Sequence, residues 1–439
     1  MPSAGSRLPA PPPGFLLGLS LAQLISWGST FYLFGLLVQP LEAALQISRA
    51  QSSLGFSLML LGEGTAALPV GRWIDRGYAR VVMCTGSVLA GLCLLGLTQV
   101  NSLASYYMLW GALGLALAGV LYQPVFAVVT RALPHDFRRG IIIITFLGGL
   151  ASTVFIPLMQ WLINSVGWRS TLVVLGGFHL LVCLPLHAWF LRGEAVGHRP
   201  ASHPVAPMAP GATSHAPPAS RAPGPSLSAL LRSPVFWLVG AFTALSLAVS
   251  SALPAHLVPL LREQGMPEQA VVLVPASIGA IQVFGRVLLF RFEGRFDVHR
   301  LNLWTVLLMP ASLLLLAGLV WFGPHGSATP AAPVAPAALV LAVVFTSWFG
   351  LANGLLTIVK GTAVAQYVDR THVATLNGAL GLPTALARAA MPALVGALWT
   401  HEAGYSWGVA LLVLASSAAC LAFWQAQRRA LAQTASAHA

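Results

Sequence analysis

The chain repeats one feature twelve times, a continuous apolar run of the length that crosses a lipid bilayer as a helix. A helical crossing takes about 20 mostly apolar residues. The runs are punctuated by Gly and Pro but do not alternate with polar residues, as the strands of a membrane barrel would. They lie at about 14–39, 51–70, 81–99, 104–130, 141–163, 171–191, 234–257, 269–290, 301–322, 337–359, 373–398 and 406–426. This pattern predicts an all-α membrane protein with twelve transmembrane helices.

The composition agrees with a chain that lies in lipid. Of its 439 residues, 57% are hydrophobic and only 8% are charged, which leaves too little polar surface for a water-soluble globule. The net charge of +12 would suggest a nucleic-acid binder if the chain were soluble. In a membrane protein it more often reports basic loops on the cytoplasmic side. We therefore expect the lipid bilayer as a partner and no nucleic acid.

The distribution of basic residues predicts the orientation, because short basic loops stay in the cytoplasm. With the N-terminus inside, one alternating set of loops and tails holds nineteen basic residues and the other set holds only Arg49, Arg169 and Arg262. Arg388 is left inside a helix. The nineteen are Arg7, Arg72, Arg76, Arg80, Arg131, Arg138, Arg139, Arg192, Arg199, Arg221, Arg232, Arg286, Arg291, Arg295, Arg300, Lys360, Arg370, Arg428 and Arg429. Both termini are predicted to be cytoplasmic. The preference for Arg over Lys, with abundant Ala, Gly and Pro, is typical of a GC-rich bacterial genome and favours the cell inner membrane.

A stretch rich in Pro, Ala, Ser and Gly at 193–232 cannot bury a core, and it predicts a disordered cytoplasmic linker. It separates an N-terminal six-helix half (14–192) from a C-terminal half (233–427), with cytoplasmic tails at 1–13 and 428–439. The halves echo each other, because Pro40 corresponds to Pro259, Pro157 to Pro392 and Trp168 to Trp407. Two pseudo-symmetric six-helix halves are a transporter architecture that holds the substrate between the halves near the midplane.

Motifs for enzymatic or metal chemistry are missing from the sequence. No Walker A pattern, catalytic cluster or metal-ligand spacing occurs, so we expect neither an enzyme, a metal site nor a cofactor. The four cysteines lie inside apolar runs and are interpreted as core residues. His179 and His187, in the sixth apolar run, are predicted to make hydrogen bonds between helices.

The segment GRWIDRGYAR, residues 71–80, resembles the loop signature of the major facilitator superfamily, and with twelve helices and a central loop the resemblance covers the whole chain. The resemblance implies a gating role for Gly71, Asp75, Arg76 and Arg80. Gly71 would let two helices approach closely, and Asp75 would pair with a basic group of a neighbouring helix. The alternative is a turn that only anchors in the headgroups.

A narrower resemblance is carried by FYLFGLLVQPL (31–41), GSVLAGLCLLGL (86–97), GWRSTLVVLGG (167–177) and GAIQVFGRVLL (279–289). Together they are similar to the branch that contains oxalate/formate antiporters and monocarboxylate transporters. In those families an arginine of the eighth helix contacts the substrate carboxylate, and Arg286 falls on that position. The acidic partner that some monocarboxylate transporters have four residues earlier is replaced by Gln282.

Three charges fall inside the apolar runs, at Glu63, Arg286 and Arg388. A charge at the bilayer centre costs at least about 2.5 to 3.5 kcal/mol, so such residues tend to be functional. Glu63 and Arg388 could form an ion pair between the halves, or Arg388 and Arg286 could clamp a small dianion together. Arg286 could instead extend to the cytoplasmic interface. Glu63 is either the proton carrier or a permanently paired structural acid.

Polar side chains on other predicted helices are candidates for the substrate cavity: Tyr32, Tyr122, Gln123, Gln282 and Asn353. The sequence thus favours a monomeric secondary active transporter of a small organic anion, a mono- or dicarboxylate, coupled to protons or to a counter-substrate. The competing hypothesis is an efflux transporter of drugs, siderophores or metalloids, in which the internal charges serve only gating.

Overall fold

The computed structural model describes residues 12–133, 136–192, 227–292, 295, 297–322, 336–369 and 373–438, and it is helical almost throughout these ranges. Ten of the membrane-spanning helices, in chain order, are α1 (Phe15–Leu45), α2 (Arg49–Asp75), α3 (Ala79–Leu97), α4 (Leu103–Ala132), α7 (Pro234–Glu263), α8 (Glu268–Phe292), α9 (Val298–Phe322), α10 (Pro336–Tyr367), α11 (Val373–Ala397) and α12 (Ser406–His438). The remaining pair, α5 (137–166) and α6 (168–190), forms one nearly continuous helical stretch.

The predicted all-α fold with twelve crossings is confirmed. Eleven helical segments of the described chain are long and apolar enough to span a membrane. One of them, Arg139–Phe190, has 52 residues, twice what one crossing needs. Gly167 interrupts it with φ 80° and ψ 162°, a backbone conformation that favours glycine. The chain therefore turns at Gly167 and crosses twice in this stretch.

The internal repeat is visible in the backbone at the ends of equivalent helices. Gln46 follows Pro40 by six residues and ends α1 with φ 53°, and Gly265 follows Pro259 by six residues and ends α7 with φ 69°. The residues after Pro157 and Pro392 also turn through left-handed glycines, at Gly167 and Gly404. These positions match because, in each half, the equivalent helix is followed by a residue with positive φ and then by a short turn.

Residues 193–226 of the predicted linker lie outside the described residues. Its last six residues form a short helix, Leu227–Arg232, where the sequence predicts a disordered chain. The helix is stabilised because Leu230 is buried and the indole Nε1 of Trp237 donates to the carbonyl of Leu231 at 3.0 Å. At the other end of the chain, α12 continues as a helix through the predicted tail to His438.

The two halves contact each other through several helix pairs, and the bundle has two ends. We call the end that carries the turns around 46–48, 98–102, 167, 264–267 and 398–405 the distal end, and the opposite end, where α1 begins, the terminal end. The distal part of α1, Leu33–Leu45, packs on α7, whereas its first part, Phe15–Ser26, packs on α5 and α6 of its own half. A Cβ on Gly35 would lie only 2.7 Å from the carbonyl oxygen of Pro254, so glycine is needed for this close approach. Two further interfaces, α2 with α11 and α5 with α8, complete the seam between the halves.

Lys360 and Arg286, which are counted among the nineteen basic residues of loops and tails, lie inside helices in the structure. Lys360 is within α10, seven residues before its end at Tyr367, and Arg286 is within α8, six residues before Phe292. Both side chains are partly buried. For Lys360 the error arose because α10 has 32 residues, more than a bilayer needs, and the apolar run does not reveal where such a helix ends. Arg286 already fell inside the predicted run 269–290. Seventeen basic residues against three still separate the two sets of loops and tails.

Candidate functional site

Arg286 projects from α8 into the seam between the halves. Its Nη1 donates to the carbonyl of Thr145 in α5 at 3.3 Å, and its Nε donates to the carbonyl of Gly354 in α10 at 3.4 Å. Both distances are long for hydrogen bonds. The hydroxyl groups of Tyr32 and Tyr122 interact electrostatically with the guanidinium. Within the described chain no carboxylate lies within ion-pair distance of Arg286, so its charge is available to an anionic ligand.

Glu63 of α2 and Arg388 of α11 form an ion pair across the seam, with 3.1 Å between Oε2 and Nη1. This is one of the two arrangements that the sequence left open. The contact is an ion pair without a well-directed hydrogen bond, because Glu63 Oε2 lacks a hydrogen-bond partner of acceptable angle. The Arg388 guanidinium also lies over the ring of Phe31 at 5.9 Å. The pair joins the two halves and is loosely aligned.

Backbone features of α11 position Arg388. Pro392 has no N–H to donate to the carbonyl of Arg388, and the hydroxyl of Ser251 in α7 donates to that carbonyl instead, at 2.8 Å. On the facing helix, a Cβ on Gly64 would lie 2.7 Å from the Cβ of Ala385. Small residues thus bring α2 and α11 close enough for their charges to meet.

Lys360 is the residue of this region that the sequence interpretation missed. Its ammonium group on α10 is close enough to Arg388 and Arg286 for the three charges to interact. Neither a hydrogen bond nor a carboxylate partner is found for it among the described residues. A compositional signal could have identified it, because Lys360 is the single lysine among the 23 basic Lys and Arg residues of the chain.

The described seam therefore holds three cations, Arg286, Lys360 and Arg388, against one carboxylate, Glu63. Burying unbalanced charge in a membrane protein is costly, so this surplus needs an explanation. A bound anion would balance it.

The other predicted cavity residues differ in their surroundings. Tyr32 and Tyr122 lie with Arg286, and the ring of Tyr122 packs 5.0 Å from that of Trp27. Gln282 is buried on α8 beside Gly354, where a Cβ would contact the Gln282 backbone. Asn353 accepts a hydrogen bond from Ser250 at 2.8 Å and so also joins α7 to α10.

Gln123 lies apart from this group in the described part of the chain. Its side chain is exposed on α4 and forms no hydrogen bond within the described part of the chain. The structure thus gathers Tyr32, Tyr122 and Arg286 into one cluster and leaves Gln123 outside it.

The predicted gating motif ends α2 at the terminal end of the bundle. In this structure Gly71 does not lie at a close helix contact, because a Cβ there would meet nothing within 4 Å, and its gating role stays a prediction. The glycine that the backbone requires is Gly77, whose φ of 92° ends the helix while Tyr78 N–H donates to the carbonyl of Trp73 at 3.0 Å. Arg76 and Arg80 are exposed. The side chain of Asp75 lies outside the described residues, and its predicted pairing stays a prediction.

A second cluster of charges closes the distal end, and the sequence analysis did not anticipate it. We call it the distal lock; it is centred on Arg49 at the start of α2. Arg49 Nε lies 2.5 Å from Glu42 Oε1, and its Nη1 lies 3.0 Å from Glu263 Oε1 and 2.6 Å from the Tyr405 hydroxyl. Trp399 stacks on the guanidinium at 4.7 Å and donates its Nε1 to both oxygens of Glu263 at 3.0 Å. Arg49 thus joins its own half to α7, α11 and the turn before α12.

Arg262 adds a reciprocal contact from the second half. Its Nη2 lies 2.5 Å from Glu268 Oε1 and donates to Gln160 Oε1 of α5 at 3.0 Å. Its Nη1 donates to Gln39 of α1 at 3.3 Å. Burial raises the pKa of the Tyr405 hydroxyl above its usual value, so that group stays neutral beside the lock. Together these contacts hold the halves shut at the distal end.

Comparison with known proteins identifies relatives of the fold and of parts of the sequence. The profile of the Major Facilitator Superfamily matches residues 19–353. Monocarboxylate transporter 11 of Mus musculus is 34% identical over 167 residues, which are 36% of this chain and 36% of that protein. The putative transporter AraJ of Escherichia coli (strain K12) is 25% identical over 237 residues, 52% of this chain and 53% of AraJ. These matches therefore span about a third to a half of the relatives' own lengths.

Among solved structures, a bacterial homolog of the human lysosomal transporter Spinster, in an inward-facing and occupied conformation, superposes with a TM-score of 0.67. The sequences are 17% identical, and the match covers 94% of this chain and 96% of that one. At this identity the likeness concerns the fold.

Proposed function

This chain belongs to the major facilitator superfamily, whose members are membrane transporters rather than enzymes, and we propose that it carries a small organic anion, a mono- or dicarboxylate. The observation that carries this proposal is Arg286, a cation between the halves that no carboxylate of the described chain neutralises. A guanidinium suits bidentate recognition of a carboxylate. The partial similarity to monocarboxylate transporters supports the same substrate class.

Transport would follow from rocking of the two halves around this site. The basic loops and tails assign the terminal end to the cytoplasm, and the multi-pass chain would lie in the cell inner membrane as a monomer. With this orientation the distal lock would close the outer side of the site, and access would be from the cytoplasm. Opening to the outside requires Arg49 to leave Glu263 and Tyr405.

Two coupling modes fit the site, symport with protons and exchange against a second anion. In the first, protonation of Glu63 would release Arg388 and allow the α2–α11 contact to separate. In the second, the pair stays charged and the returning anion balances Arg286 instead. The dependence of uptake on a pH gradient separates the two modes.

The direct test is uptake by proteoliposomes from a panel of mono- and dicarboxylates. We expect Arg286→Ala to lower transport of the accepted anions on the order of 100-fold, the typical effect of removing one partner of a buried charge contact. Arg429→Ala, at an exposed position of α12, is the matched control and should transport normally.

Undiminished uptake by Arg286→Ala would refute the anion site. Resistance of a sensitised host to drugs, siderophores or metalloids, without any carboxylate transport, would instead establish the efflux function.

A further inference from the structure

Lys360 differs from every other basic residue of the chain in type and in its surroundings. All 22 others are arginines, including those at the distal lock and at the exposed ends of helices. Lysine offers a compact point charge on a flexible stem, and arginine offers a rigid planar fork. Its side chain is partly buried inside the bundle, and within the described chain it binds neither a carboxylate nor a carbonyl. The ammonium group of Lys360 is therefore available to bind a ligand.

The charges of the seam divide into a balanced pair and an unbalanced pair. Glu63 lies 3.1 Å from Arg388 and compensates it. Arg286 and Lys360 have no carboxylate partner among the described residues, and they are close enough for their charges to interact. Like charges repel most strongly where water is scarce. A ligand with one negative charge would balance only one of the two, whereas a dianion would balance both.

Both unbalanced cations are positioned relative to α10. Arg286 Nε donates to the carbonyl of Gly354, and Lys360 is six residues further along the same helix. Six residues correspond to about 9 Å of helix rise, a separation that both long side chains can shorten. Two anionic groups a few bonds apart on one small molecule can therefore meet the two cations at once.

Building on the proposed anion transport, we propose that the substrate is a small dicarboxylate dianion held between Arg286 and Lys360, while Arg388 remains paired with Glu63. Arg286 binds one carboxylate with its fork, and Lys360 binds the other as a point charge. Lys360 is thus the residue that selects a dianion over a monoanion.

The test uses substrates that differ by one charge on the same carbon skeleton. Uptake of malonate and succinate is compared with uptake of their monomethyl esters at pH 7.5, where both carboxyl groups of the diacids are ionised. The wild-type protein should prefer each diacid. In Lys360→Gln we expect diacid uptake to fall at least tenfold while uptake of the monoesters is unchanged, and Lys360→Arg should recover most of the preference.

Two controls keep the outcomes separate. The melting temperature in detergent shows whether each variant is folded, and thermal stabilisation by succinate but not by its monoester reports binding without transport. If Lys360→Gln lowers diacid and monoester uptake equally, or changes neither, the role of Lys360 is refuted although the anion transport stands. If the wild-type protein carries neither member of any pair, the proposed function itself fails.

Discussion

At the scale of single residues, the ion pair between Glu63 and Arg388 can be tested directly by substitution. It is an acid–base contact between the two halves, in the middle of the seam. Removing one partner of a buried pair leaves an uncompensated charge and typically costs about 3 to 5 kcal/mol. We expect Glu63→Gln and Arg388→Gln each to lower the melting temperature in detergent, and the double variant to be more stable than the sum of the two effects predicts. Additive losses would contradict an energetic coupling across the seam.

The same residue decides between the two coupling modes. If Glu63 carries the proton, uptake by Glu63→Gln loses its dependence on external pH while exchange of internal for external substrate continues. Uptake by the wild-type protein and by the variant is measured in outside media adjusted to a series of pH values, which tests this directly. A pH dependence that survives in Glu63→Gln would remove Glu63 from the proton path.

Sequence reasoning succeeded for residues whose environment is fixed by the bilayer and failed where geometry decides. Glu63, Arg286 and Arg388 stand out because a charge in an apolar run is expensive. Lys360 did not stand out, because it follows the apolar core of a helix that continues well beyond it. Gly71 has no neighbour within 4 Å of a Cβ in this structure, and a glycine in a motif indicates close packing only where another chain segment lies beside it.

At the scale of elements, two π-helical turns face each other within the first half. One covers Trp27–Phe31 in α1 and the other covers His179–Cys183 in α6. Ser29 Oγ lies 2.8 Å from His179 Nε2, and both side chains are fully buried. The predicted hydrogen bonds of His179 and His187 to neighbouring helices are thus confirmed, the second with Ser87 at 2.8 Å. The π-turn of α1 immediately precedes Tyr32 and so sets the direction of that site residue.

We expect Ser29→Ala to destabilise the protein by about 1 to 3 kcal/mol, because it leaves a buried imidazole nitrogen without a partner. The affinity for the proposed anionic substrate should weaken more than the maximal rate, since Tyr32 shifts at the site while the moving interfaces stay intact. Ser87→Ala removes the equivalent contact to His187 away from Tyr32 and serves as the control. Equal kinetic effects of both substitutions would show that the π-turn has no specific influence on Tyr32.

Neither π-turn was foreseen, because an extra residue in a helical turn leaves the hydrophobic pattern of a fully apolar helix unchanged. The larger elements were foreseen for the opposite reason. Crossing number and the repeat of the halves follow from run length and from the spacing of Pro40 and Pro259, which the backbone turns at Gln46 and Gly265 repeat. Membrane insertion fixes the count of helices, whereas side-chain packing fixes their local irregularities.

At the scale of the whole molecule, the distal lock determines which side of the seam is closed. Arg49 contacts acidic groups of both halves and the Tyr405 hydroxyl and Trp399 ring of the second half, so its removal frees Glu263 and Trp399 from the first half. Nearer the middle, α2 and α11 also pack closely, with Ser57 of α2 accepting from the Ala393 N–H of α11 at 3.0 Å. Loss of the lock should therefore shift the population towards an arrangement that is open at the distal end.

This shift can be measured by the reactivity of a cysteine placed under the lock. In a background with Cys84, Cys93, Cys183 and Cys420 replaced by alanine, Ser57→Cys replaces a buried serine of the seam, between the distal lock and the Glu63–Arg388 pair. We expect Arg49→Gln to raise its labelling by a membrane-impermeant maleimide, added from the distal side, at least fivefold. Arg169→Gln is the matched control, because Arg169 is also at the distal end but bonds to Thr98 and stacks on Trp168 within its own half. Equal labelling of the two variants would show that other contacts hold the distal end closed and that Arg49 does not govern the alternation of the halves.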